Sequence, residues 1–160
     1  MELRAEVIID APAEAAWEVV GERFGQIGEW AKPITSSSLD GDPAVGATRT
    51  CVVASFGPFK AGAMTERLSA FDPLSMYLKY ESTSGMPAFV QLAENRWSVH
   101  PLSDASCVVR TQATLELRGA ARVLGPLVSW RLQLEADRVL DDLRHQVEHG
   151  MPHPRKCAAA

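Results

Sequence analysis

The chain predicts an α+β fold in which a curved antiparallel sheet wraps one long C-terminal helix. Three observations carry this. A strand-like opening, Leu3–Asp10, runs straight into a helical patch, Ala11–Val20. Six further strand-like segments follow between residues 34 and 117. The last third is one amphipathic stretch, Pro126–His149, closed by Gly150. Strands and helices segregated in this way pack helix on sheet. A curved sheet around a single helix tends to leave a hollow between the two, so function is sought there first.

In the first strand, Glu2–Ile9 alternates imperfectly and then turns apolar, as a strand near a sheet edge does. Asp10 is placed to cap the next helix, with Pro12 tolerated in its first turn. Ala13, Trp17 and Val20 share a face of that helix, and Gly21, Gly25 and Gly28 break the next stretch into short helical turns ending at Trp30. Pro33 ends helical structure. Strands are then expected at 34–39, 48–55, 59–71 and 76–81, divided by Gly41-Asp42-Pro43, Gly46, Gly57-Pro58 and Asp72-Pro73. Residues 82–87 read as a polar loop. Residues 88–100 and 107–117 read as a hairpin turning at 101–105.

In the final helix Val128, Leu132, Ala136, Val139, Leu143 and Val147 recur every three or four residues. Leu127, Trp130, Leu134 and Leu140 widen this stripe, while Arg131, Glu135, Asp137, Asp141, Asp142 and Arg144 are read as the solvent side. At ~1.5 Å per residue the helix spans roughly 36 Å, enough to cross the sheet.

With 160 residues, the chain fits one domain over 1–150, and the Pro-, Ala- and base-rich stretch 151–160 is expected to be a disordered tail. No apolar run approaches the ~18 residues of a membrane span, so no membrane insertion is expected. Met1-Glu2-Leu3-Arg4 lacks the basic-then-apolar pattern of a secretory signal. The net charge of −4 and the absence of a basic cluster argue against a nucleic-acid partner. Three scattered cysteines, Cys51, Cys107 and Cys157, argue against a disulfide framework and for a reducing, cytoplasmic setting. No Ser-His-Asp order, phosphate-cradling glycine loop or paired-cysteine motif occurs, and no cofactor is expected. His145 and His149 share a helix face, with Glu148 and His153 nearby; they read as solvated histidines rather than as a metal site. The sequence does not fix an oligomeric state.

Specific residues resemble a known family. Asp10-Ala-Pro-Ala-Glu-Ala-Ala-Trp17 is similar to the opening of START-like, helix-grip (SRPBCC) proteins, where a strand leads into an A-P-x-x-x-x-W segment. Phe24-Gly-Gln-Ile-Gly-Glu-Trp30 resembles the segment that comes after it there. Val45-Gly-Ala-Thr-Arg49 and Thr65-Glu-Arg-Leu-Ser-Ala-Phe-Asp-Pro73 resemble the polyketide cyclase/dehydrase and lipid-transport branch. The resemblance runs from Leu3 to about Val147. It implies a seven-stranded antiparallel sheet gripping the C-terminal helix, with two short helices after the first strand. It also implies a partner: a hydrophobic or aromatic small molecule held between sheet and helix. The superfamily includes carriers and aromatic polyketide cyclases, so both binding and aldol cyclisation or dehydration stay open.

Three residues are the candidates for chemistry. Arg49 shares a strand face with Cys51 and Val53, and either enters the cavity or sits on its rim. Glu66 shares a face with Met64, Leu68 and Ala70, which points it inward. There it either forms an ion pair with Arg49 or acts as a general acid or base. The Tyr80 hydroxyl is a candidate donor on a strand whose Met76, Leu78 and Tyr80 are expected to line the cavity. The resemblance implies that the face carrying Gln91, Asn95 and Trp97 is concave, and places Trp30 at the entrance, where it gates the ligand or simply packs. Met64, Leu78, Leu132 and Ala136 complete the expected apolar lining. In strand 107–117 the apolar set Val109, Ala113, Leu115 and Leu117 leaves Arg110, Gln112 and Glu116 to solvent; Arg110 stands where the family often has a tryptophan.

Overall fold

The computed structural model describes residues 1–55 and 61–158. Seven strands, β1 Glu2–Ile9, β2 Ile34–Leu39, β3 Thr48–Val53, β4 Gly62–Asp72, β5 Tyr77–Ser84, β6 Val90–Ser103 and β7 Ser106–Leu117, form one antiparallel sheet. Their order is β1-β7-β6-β5-β4-β3-β2, so the first strand closes on the last while β2 forms the far edge. Between β1 and β2 lie α1 Ala13–Trp17, a π-helical turn over Glu18–Glu22, a 3-10 turn at Phe24–Gln26 and α2 Ile27–Trp30. After β7 come a 3-10 segment, Gly119–Leu124, the long α3 Gly125–His149, and a last helical turn, α4 Pro154–Cys157.

The expected α+β plan and its seven strands are what forms. Pairing is set by alternation: Val7 faces Val109 and Ile9 faces Cys107, and the buried members of both strands point to α1 and α3. The main core joins Ile9, Trp17, Phe24, Trp30, Leu68, Leu78, Leu140 and Leu143. The helical turns lie tight on β2 because Gly28 has no side chain; a Cβ there would stand 2.8 Å from the Ser36 carbonyl carbon. The Ser37 hydroxyl fastens the same contact, accepting from Gly28 N–H at 2.8 Å and donating to the Gly25 carbonyl at 2.7 Å.

Several expectations need correction. The polar loop read at 82–87 begins later, because Ser82 and Ser84 extend β5 by pairing with Glu66 and Thr65. The β6–β7 hairpin runs on to Ser103 and Ser106, so its turn is shorter than 101–105. The expected start of β4 at Phe59 and the Gly57-Pro58 turn lie outside the described residues. Asp142 does not face solvent: it is fully buried, accepting from Lys32 N–H at 3.0 Å and from Arg155 Nε at 2.6 Å. Leu127 and Trp130 do not complete the buried stripe but remain exposed.

The tail, expected to be disordered, carries α4 up to Cys157. Arg155 binds Asp142, and Lys156 Nζ donates to the carbonyls of Ala31, at 3.1 Å, and Ile34. A buried carboxylate needs a cation, and the tail supplies it.

Candidate functional site

A hollow of about 320 Å³ lies between the concave face of the sheet and α3. Leu3 and Ala5 of β1, and Thr111, Ala113 and Leu115 of β7, form one side. Ala93, Asn95 and Trp97 of β6 form the floor. Ala31, Pro33 and Ile34 form the far rim, and Leu132, Ala136 and Val139 of α3 the roof. Met64, Glu66, Tyr80, Ser82 and Arg49 complete the wall. A larger depression, about 530 Å³, lies on the opposite face between Arg4, Arg96 and Arg110, walled by charged and polar side chains. Apart from Ala5, Trp97 and Thr111, it shares no residue with the hollow, and neither Arg49, Glu66 nor Tyr80 reaches it.

Arg49 and Glu66 face each other directly across β3 and β4. Both are buried, at 2 % and 5 % exposure. Arg49 Nε and Nη2 both donate to Glu66 Oε2, at 2.9 and 2.5 Å, and Nη1 donates to the Phe24 carbonyl at 2.8 Å. The guanidinium lies 3.7 Å from the centroid of the Phe24 ring and 5.0 Å from that of Tyr80, so cation–π attraction adds to the pairing. Burial opposes the charge on Arg49, yet the Glu66 carboxylate offsets it and holds the guanidinium pKa above its ordinary value. The guanidinium is thus held between the Glu66 carboxyl, the Phe24 carbonyl and two aromatic faces.

The neighbouring groups are held neutral. Burial, reinforced by the Glu66 charge, pushes the Tyr80 phenol up to about 12, and the Trp97 indole hydrogen-bonds to it. Burial likewise pushes the Cys51 thiol up to about 12, while Cys51 Sγ donates to Glu66 Oε2 at 3.6 Å. Among the described residues the hydrogen bonds to Glu66 thus all fall on Oε2. Asn95 Oδ1 accepts from Thr111 Oγ1 at 2.8 Å.

Of the residues expected at the site, Arg49, Glu66, Tyr80, Met64, Asn95, Trp97, Leu132 and Ala136 meet around this hollow. Trp30, Leu78 and Gln91 do not. Trp30 and Leu78 are core residues, at 5 % and 0 % exposure, around a small void of about 10 Å³ beneath Arg49. Gln91 is exposed because a register shift between Val90 and Leu92 reverses the alternation: Val90 turns inward, and the residues from Ala93 on resume the concave face. Met76 likewise does not reach the hollow. Sequence reasoning missed Leu3 and Ala5, which the alternation of β1 could have revealed, and Phe24, whose carbonyl and ring hold Arg49 without any sequence signal. Among the described residues, no group of His, Cys, Asp or Glu is arranged to hold a metal ion. No helix there is long and apolar enough to cross a membrane.

Comparison with known proteins agrees with this geometry. No curated protein matches the chain. Among solved structures, TTHA0849 from Thermus thermophilus superposes with a TM-score of 0.76 at 21 % identity, covering 92 % of this chain and 97 % of that one. A START superfamily protein from Mycobacterium smegmatis gives 0.76 at 19 %, covering 94 % and 99 %. The Zhui aromatase/cyclase from Streptomyces sp. R1128 gives 0.71 at 18 %, covering 96 % and 99 %. At these identities the likeness establishes the fold, a START-like helix grip. The family profile described as polyketide cyclase / dehydrase and lipid transport matches residues 1–148, and the chain belongs to that family.

Proposed function

We propose that the protein binds a hydrophobic or aromatic small molecule in the hollow between the sheet and α3. One observation carries the proposal: a mostly apolar wall whose deeply buried charges, Arg49 and Glu66, are paired with each other, while the two other carboxylates bordering it, Glu94 and Glu135, are paired with Lys79 and Arg138. Ligand sites are mostly apolar, with a few placed polar groups, and span ~300–1,000 Å³. A hollow of about 320 Å³ sits at the small end, which favours a compact ring system over an extended chain. Three of the five Arg49 N–H groups are held by Glu66 and Phe24, and the other polar groups on the wall include Glu66 Oε1, the Tyr80 hydroxyl, Ser82, Asn95 and the Glu94 and Glu135 carboxylates. Such a set suits a neutral molecule with a hydroxyl donor and is hostile to an anion.

A second reading is a cyclase-type enzyme, favoured by the meeting of Glu66 and Tyr80 on one wall. In an aldol closure Glu66 would take a proton from the carbon beside one carbonyl. The resulting enolate carbon would attack a second carbonyl, whose oxygen would take the Tyr80 proton; loss of water would follow. Glu66 Oε2 is already occupied by two Arg49 N–H groups, so binding is placed first. The structural likeness to an aromatase/cyclase supports keeping both.

Native mass spectrometry of protein purified from its own host, followed by denaturing extraction, tests the proposal. A stoichiometric hydrophobic or aromatic molecule is expected. In thermal-shift titrations an aromatic alcohol such as naphthol should stabilise the protein more than the corresponding carboxylate. An empty protein that no aromatic probe stabilises overturns the binding function. Turnover of a polyketide mimic that is lost in Tyr80→Phe would establish the enzyme instead.

A further inference from the structure

Leu127 and Trp130 stay in solvent although they lie on the long helix that covers the hollow. They are 60 % and 57 % exposed, and Val123, in the 3-10 segment just before, is 82 % exposed. Leu127 and Trp130, three apart in the helix, share a face, and Val123 is exposed just before them. Single exposed apolar residues are ordinary, but three large ones within eight residues form a patch. Along this stretch of chain the charge is one-sided, with Glu116 at its edge sharing a surface depression with Arg122. Between Glu116 and Glu135 the chain carries Arg118, Arg122 and Arg131 and no acidic residue, in a protein of net charge −4. The Arg131 guanidinium lies 6.0 Å from the Trp130 ring.

We propose that this segment docks the protein on an anionic lipid bilayer, lying in the headgroup region without crossing it. An exposed apolar ridge of three side chains with basic neighbours in the chain suits the boundary between acyl chains and anionic headgroups. The apolar face of an interfacial helix sinks ~5–10 Å into the boundary between headgroups and acyl chains. Tryptophan settles at headgroup level, and the arginines meet the negative surface of the lipid. A second copy of this chain fits less well, because a two-fold interface would set the same three arginines against one another. The ridge adjoins one end of the hollow. Val128 packs with Val90, Leu115 and Leu117, and Leu115 and Leu132 also line the hollow. Docking therefore brings that end to the bilayer, whatever the hollow holds.

The protein carries its own reporter, since Trp17, Trp30 and Trp97 are each at most 5 % exposed and Trp130 is in solvent. The intact protein is mixed with phosphatidylcholine vesicles, with and without phosphatidylglycerol. Cosedimentation and a blue shift of tryptophan emission are expected with the anionic vesicles. Raising the salt from about 0.1 M to about 1 M shortens the Debye length from ~10 to ~3 Å and should weaken binding at least about tenfold. Leu127→Ser/Trp130→Ser should lower cosedimentation at least about tenfold with unchanged melting, and Arg122→Gln/Arg131→Gln should do so on anionic vesicles alone. Should the first pair melt early, Val123→Ser carries the test from a position with little packing to lose. Failure to bind anionic vesicles overturns the proposal, as does binding that survives loss of the apolar residues. A lipid-independent dimer abolished by the same substitutions would assign the ridge to a second copy and overturn it too.

Discussion

Replacing Glu66 by Gln leaves the Arg49 guanidinium buried at 2 % exposure with its charge uncompensated. Removing one partner of a buried pair costs roughly 3–5 kcal/mol. Some support survives. Nη1 keeps the Phe24 carbonyl at 2.8 Å, the Phe24 ring stays 3.7 Å away, and the new amide oxygen can still accept one N–H. The loss therefore falls at the low end, about 3 kcal/mol. For a domain of this size, where 1 kcal/mol moves Tm by ~2–4 °C, Tm should drop by about 6–12 °C. Arg49→Met/Glu66→Leu removes both charges, and apolar replacement of a whole buried pair is often neutral or stabilising. The remaining cost is the orphaned Phe24 carbonyl, about 1–3 kcal/mol. The double variant should thus be no less stable than Glu66→Gln, although it loses more polar groups. Thermal and urea unfolding followed by circular dichroism decide. A Glu66→Gln variant melting within about 2 °C of the parent would refute a desolvated pair, and so would a double variant whose cost equals the sum of the two single ones.

Three further outcomes rest on burial and charge. Cys157 is exposed while Cys51 and Cys107 are buried, so an aromatic disulfide reagent should label one thiol quickly in the native protein and three after denaturation; fast labelling of Cys51 would show that its wall is open. The Tyr80 pKa is raised to about 12, so its neutral form is favoured by folding: the associated stability is whole below the ordinary value of ~10 and drains as pH rises towards 12. A phenolate absorbance titration should find one tyrosine still protonated in the folded protein at about pH 11, and full ionisation there contradicts this. Deleting 151–160 strips Arg155 from the buried Asp142. Because the Arg155 side chain is itself 27 % exposed, the loss should be about 2 kcal/mol, read as a lower urea midpoint; an unchanged midpoint would mean that the tail is not bound.

The sheet was legible because its strands alternate and its breaks carry Gly and Pro. The inward turn of Glu66 could be read from Met64 and Leu68 on the same face. Arg49 stayed undecided because its face mates, Cys51 and Val53, are as compatible with a rim as with a core. What decides it is Phe24, brought over β3 by short helical turns that no periodicity predicts. Gln91 was misplaced for a local reason: a register shift at Val90 breaks a period-two argument without leaving a Gly or Pro to mark it. Asp142 was misread because its helix position looks solvated until Arg155 and the Lys32 N–H arrive from elsewhere in the chain. Leu127 and Trp130 fit the helical period but lie beyond the part of α3 that the main core covers, and periodicity says nothing about where a sheet ends.

The same placement bears on the proposed binding, because it keeps a strong charge pair beside a mostly apolar hollow. Arg49 and Glu66 are opposite each other on adjacent strands, so each charge is satisfied within the sheet and needs no ligand. An unpaired arginine in such a wall would demand an anion, and an unpaired glutamate would demand a cation or take up a proton. Paired, they add almost no net charge to the wall, which Glu94 and Glu135 also border with partners of their own, while the geometry leaves acceptor capacity at Glu66 and a protonated phenol at Tyr80. Selectivity would then rest on shape and one or two hydrogen bonds, with the apolar roof of Leu132, Ala136 and Val139 supplying the affinity. This division of labour ties the predicted stability loss of Glu66→Gln to ligand choice: a variant with an uncompensated Arg49 should gain affinity for aromatic carboxylates as it loses stability.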